Sequence, residues 1–96
     1  MTSKAELDLE LRLMAIEYVL VQIGKIALIN AGITPEQAKQ MRENGREAML
    51  KETFPGLDAA MGDHVGAELA DRVEVLLNRI EILVRETYRK ASERES

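Results

Sequence analysis

The stretch SKAELDLELRLMAIEYVLVQIGKIALINAGI, residues 3–33, reads as one long helix with both of its ends written into it. Ser3-Lys4-Ala5-Glu6 has the form of a capping box, in which Ser3 and Glu6 satisfy free amides of the first turn. Asn30-Ala31-Gly32-Ile33 has the form of a Schellman stop, with Gly32 in the left-handed conformation and Ile33 folding back on Leu28. The expected helix covers about 4–31, roughly 42 Å at 1.5 Å per residue.

Its faces decide the rest. At about 100° per residue, Leu9, Leu13, Ile16, Leu20, Ile23 and Ala27 form one apolar strip, spaced 4,3,4,3,4 like a heptad seam. Leu7, Leu11, Met14, Tyr18, Val21 and Leu28 form a second on nearly the opposite side. A helix packed only against its own chain needs a single apolar stripe, so the second strip calls for another partner, and a homodimer is expected. Lys25 interrupts the second strip where a seven-residue repeat would place an apolar group, and a charge is easier to keep at a rim than in a core. The face of Met14, Tyr18, Val21 and Leu28 is therefore assigned to the dimer interface. The face of Leu13, Ile16, Leu20 and Ile23 is assigned to packing within the chain.

Outward from this helix, Thr34-Pro35-Glu36-Gln37 combines a Thr cap, a Pro at the first helical position and a Gln three residues after the cap. It starts a second helix expected over about 35–53, stopped by Phe54-Pro55-Gly56, with Asn44-Gly45 as a place to kink or split. Leu57 to Met61 is expected to form a short turn, and Gly62-Asp63 a hinge and N-cap for a third helix over about 64–92. In that helix Leu69, Ala70, Val73, Leu76, Leu77, Ile80, Leu83, Val84, Thr87 and Tyr88 follow the i, i+3, i+4, i+7 rule. Glu68 with Arg72, Glu81 with Arg85 and Glu86 with Lys90 have the favourable i,i+4 order. Val75 and Ile82, one heptad apart among charges, suggest a satellite contact with another chain. The expected fold is all-α: a single domain over 1–96, with two long antiparallel helices and a shorter middle one, dimerising into a helical bundle.

Composition narrows the function classes. The chain has 96 residues, 46% of them apolar and 31% charged, which is globular rather than disordered. A net charge of −4 disfavours a phosphate-binding surface, and 3% aromatic content leaves few platforms for stacked bases. The absence of Cys removes thiolate metal sites and disulfides and fits a cytoplasmic protein. The charged N-terminus leads to no expectation of a secretory leader. Glu17, Gln22, Lys25 and Asn30 interrupt the apolar run over 13–33, so a membrane span is not expected.

Few residues point to chemistry. His64, Glu68 and Asp71 fall on one helical face and have the donor types for a divalent metal, or for a histidine base beside carboxylates. Acids also gather at helix starts for the dipole alone. Glu17 and Lys25 are expected to snorkel at the edge of an interface, and Met14, Met41, Met49 and Met61 to fill core rather than line a groove. Arg85, Arg89, Lys90 and Arg94 are interleaved with Glu86, Glu93 and Glu95, leaving little positive field for DNA or RNA. No phosphate loop, His-Glu-x-x-His, nucleophile elbow or EF-hand pattern occurs, and no catalytic residue or cofactor is expected. The leading expectation is a non-enzymatic oligomerisation or protein-interaction module of small bacterial type. The rivals are a helical metal protein or enzyme using His64, Glu68 and Asp71, and a nucleic-acid-binding regulator.

Overall fold

In the computed structural model, residues 3–95 are described, and they form three helices with no strand among them. These are α1 (Lys4–Asn30), α2 (Pro35–Leu50) and α3 (Ala59–Glu95).

The helix ends follow the local chemistry. Ser3 Oγ accepts the Glu6 N–H at 3.1 Å. At the other end of α1, Gly32 has φ 73°. There Ile33 N–H donates to the Leu28 carbonyl at 2.9 Å and Gly32 N–H to the Ile29 carbonyl at 3.0 Å, the two bonds of a Schellman motif. Both halves of the capping box form at Thr34 and Gln37, at 3.2 and 2.9 Å.

Three boundaries differ from expectation, one of them the C-terminal end, where α3 runs on to Glu95 past the expected stop near 92. Helix α2 ends at Leu50 rather than near Thr53. Phe54 leaves the helix early because its ring folds back onto Gly66 of α3, and Pro55 holds it out of the helical region. Pro55 and Gly56, with φ 90° at Gly56 and Leu57 N–H bonded to the Phe54 carbonyl at 3.2 Å, then make a tight reversal. Helix α3 begins at Ala59, not His64, because Asp58 Oδ1 caps it by accepting the Met61 N–H at 2.8 Å. Ala59, Ala60 and Met61 are good helix formers, so Gly62-Asp63 is carried inside the helix instead of hinging it.

The antiparallel partner of α3 is α2, where two long antiparallel helices, the first and third, were expected. As residue numbers rise along α2 they fall along α3: Arg42 meets Glu81, Gly45 meets Leu77, Arg46 meets Asp71, and the Met49 carbonyl lies beside Gly66. Asn44-Gly45 does not break α2. A Cβ at Gly45 would stand 2.7 Å from Leu77 Cδ1, so the glycine is a notch that lets the two helices close.

Helix α1 meets α3 over a short stretch. Residues 17–28 of α1 lie beside residues 77–83 of α3 at the Glu17–Arg79 pair and around the two dimples between the helices. Gly24 is the second notch, with a Cβ there falling 2.6 Å from Ile80 Cδ1. Tyr88 Oη donates to the Ile33 carbonyl at 3.0 Å and ties the α1–α2 turn to α3. Helix α3, roughly 55 Å long at 1.5 Å per residue, sets the 55 Å long axis of the molecule.

The two notches and the helical Gly62 give opposite expectations. Gly24→Val and Gly45→Val overpack helix crossings and are expected to lower unfolding free energy by about 1–3 kcal/mol each. Gly62 has open space around it, so Gly62→Ala is expected to raise it by up to about 1 kcal/mol. Urea denaturation of the three variants checks both signs.

Candidate interaction surface

The inner face of α1 is the reverse of the one expected from the position of Lys25. Val21 is buried to 2% exposure against α3, and Gly24 and Leu28 are half-buried beside it. Leu13, Ile16, Leu20 and Ile23, expected to pack within the chain, are each exposed to 50% or more. Two causes act together. Gly24 lets α3 approach only on the Val21 side, and Glu17 and Lys25 sit half-buried at the edges of the crossing, Glu17 facing Arg79 at 3.9 Å. The charges thus border the intrachain contact, where the long side chains keep their heads in water.

Beyond that crossing the helix is uncovered. Every residue from Ser3 to Ile16 is exposed, including Leu7, Leu9, Leu11, Leu13, Met14 and Ile16. Further along, Tyr18, Val19, Leu20, Ile23 and Ile26 are exposed as well. The buried apolar residues among those described are only Val21, Ala38, Ala70 and Val84. That is a thin core for a chain of this length, while the most apolar helix faces solvent. By length and composition α1 also suffices to cross a bilayer, with a mean hydropathy of 1.5 over its most apolar 18 residues.

The six residues expected at an interface divide into three groups. Tyr18, Val21 and Ile82 line one dimple of about 240 Å³ with Gln22, Arg79 and Leu83, where α1 crosses α3. Leu28 lies in a neighbouring apolar cavity of about 200 Å³ with Gly24, Ala27, Ala38, Met41, Leu77 and Ile80, where the three helices meet. Met14 stands exposed on the free half of α1, and Val75 is exposed one heptad before Ile82 on α3. The methionines do not converge: Met41 lines the three-helix cavity, Met49 is half-buried near Gly66, and Met14 and Met61 are exposed.

The structure does not assemble His64, Glu68 and Asp71 into a ligand set. No group of three or more His, Asp or Glu among the described residues is placed to hold a metal ion. Asp71 is engaged by Arg46 at 2.6 Å and Glu68 faces Arg72 at 3.9 Å. Of the basic residues Arg85, Arg89, Lys90 and Arg94, two are similarly occupied. Arg85 bonds Glu81 at 3.2 Å, and Arg89 bonds Glu86 at 2.8 Å and Glu93 at 2.6 Å, so Glu86 takes Arg89 where Lys90 was expected.

What the sequence reading missed is the clamp between α2 and α3. Glu81 is 8% exposed and receives Arg42 at 2.8 Å on one oxygen and Arg85 on the other. Arg42 and Arg46 stand one turn apart on α2, both aimed at acids of α3. Their i,i+4 spacing was the available signal. No known protein family, curated protein or solved structure matches this chain.

The clamp carries a pH dependence. The hydrogen bond from Arg42, then that from Arg85, hold the Glu81 carboxyl below its ordinary value of 4.5, against the opposing effect of burial. Because the folded pKa is depressed, this stabilisation is present above pH 4.5 and is lost as pH falls through the folded value. Thermal unfolding from pH 7 downward is expected to show stability dropping below that pH. In Glu81→Gln, the neutral-pH stability is lower and that acid-dependent loss shrinks.

Proposed function

We propose that this chain is a non-enzymatic oligomerisation module that forms a homodimer, with α1 as its assembly helix. One observation carries the reading: α1 is apolar on nearly all sides, yet only Val21 among its residues is buried within the chain. Water-exposed apolar surface on this scale marks a contact surface. Arg42, Arg46, Arg85 and Arg89 are engaged by carboxylates, and no group of three or more His, Asp or Glu among the described residues is placed to hold a metal ion.

A protein neighbour fits this helix better than lipid does. Its Glu17–Leu28 stretch meets α3 beside Arg79, and Glu81 and Arg85 follow on the same helix. Insertion with α3 attached would carry these charges toward hydrocarbon at roughly 3 kcal/mol each near the bilayer centre. Insertion without it would strip Val21 and Leu28 from their packing. The first turns of α1 also carry Glu6, Asp8, Glu10 and Arg12.

Sedimentation equilibrium is expected to give the wild type twice the monomer mass. The double variant Ile16→Glu with Leu20→Glu is expected to be monomeric while keeping the α2–α3 hairpin, read by circular dichroism. Val21→Glu instead buries a carboxylate beneath α3 and is expected to cost about 3 kcal/mol or more in folding. A wild type that stays monomeric at high concentration overturns the reading. So does one that floats with lipid vesicles without self-associating.

A further inference from the structure

The uncovered strip of α1 has a shape that selects its own partner. Leu9, Leu13, Ile16, Leu20, Ile23 and Ala27 are all exposed, and their 4,3,4,3,4 spacing is symmetric about residue 18. An identical strip turned end for end therefore meets it in matched layers: Leu9 opposite Ala27, Leu13 opposite Ile23, Ile16 opposite Leu20. We propose that two copies of this chain pair their α1 helices antiparallel about a two-fold axis near Tyr18, each laying its free N-terminal half beneath the partner's α3. The proposal rests on the reading of α1 as an assembly helix and adds its orientation and centre.

Coverage favours the antiparallel sense. Helix α3 packs beside residues 17–28 of α1, whereas residues 3–16 are all exposed. Leu7 and Met14 stand two heptads and one heptad before Val21 on the strip that α3 covers further along. Antiparallel pairing sets the bare half of each α1 beside the covered half of the other, under the neighbouring α3. Parallel pairing would leave both bare halves projecting together, with Leu7 and Met14 still in water.

Charge and area agree with this placement. The two Glu17 carboxylates come near the axis, but each brings its own Arg79, giving a neutral cluster of four groups. Parallel pairing would set Arg12 against the opposite Glu17, yet both are already engaged within the chain, Arg12 by Asp8 at 3.0 Å and Glu17 by Arg79. The strip from Leu9 to Ala27, about half accessible at each large residue, offers on the order of 500 Å², and Leu7 and Met14 beneath the partner's α3 bring this toward one partner's share of a standard specific interface.

The natural chain has no cysteine, so introduced thiols report orientation directly. Leu13→Cys and Ile23→Cys are made separately, one with a mass tag, then mixed, exchanged by unfolding and refolding, and oxidised. The expected product is the mixed Leu13→Cys with Ile23→Cys cross-link, with each variant alone giving little, because Cα atoms more than about 7 Å apart are not bridged. Like-with-like cross-links would overturn the antiparallel orientation while leaving α1 as the assembly helix. A dimer by sedimentation that cross-links in neither way would show that this strip is not the interface. A monomer would overturn both the orientation and the assembly role.

Discussion

The position of α1 against α3 governs everything else in this molecule. A helix with apolar groups around nearly its whole circumference receives a neighbour from its own chain along one narrow strip, over residues 17–28. Gly24 sets that limit. With no Cβ it lets Ile80 press against the α1 backbone, so the helices cross at one close point instead of lying side by side. A steep crossing buries little of either helix, which is why Val21 is the single buried residue of α1 and why the strip from Leu9 to Ala27 remains outside.

The hairpin of α2 and α3 solves a different problem. Helix α2 is polar, with Ala38 its one buried residue, so apolar contact alone supplies little adhesion. Arg42 and Arg46 reach across to Glu81, Asp71 and Glu74, and Gly45 admits Leu77. The exposed pairs in this set are screened and weak, whereas Glu81 is enclosed and bonded on both oxygens, so its partners determine whether burying it is tolerable.

These two features divide the labour within the chain. Arg42, Arg46 and Arg85 are engaged by acids of α3, and no cluster among the described residues is placed to bind a metal. Exposed apolar area is concentrated on α1.

Local chemistry was legible in the residues themselves. The caps at Ser3 and Thr34, the Gly32 stop, the stripe of α3 and the all-α class depend on neighbours within a few positions, and helical periodicity expresses them without reference to the rest of the chain. The excess of apolar surface on α1 was legible for the same reason, since it is a property of one helix. Which side of α1 turns inward was not. Lys25 argued for the wrong face because a charge can border a crossing as readily as an open rim. What decided it was the close approach of Ile80 to Gly24, a contact between residues 56 positions apart. Gly45 and Asp58 teach the same lesson: a glycine in a helix reads as a break until the neighbouring helix shows it to be a notch, and a cap is chosen by whichever start the packed helix can reach. Sequence alone determined what each helix is; tertiary structure decided which surfaces meet, because that depends on the closest approach of distant backbones, which no local pattern encodes.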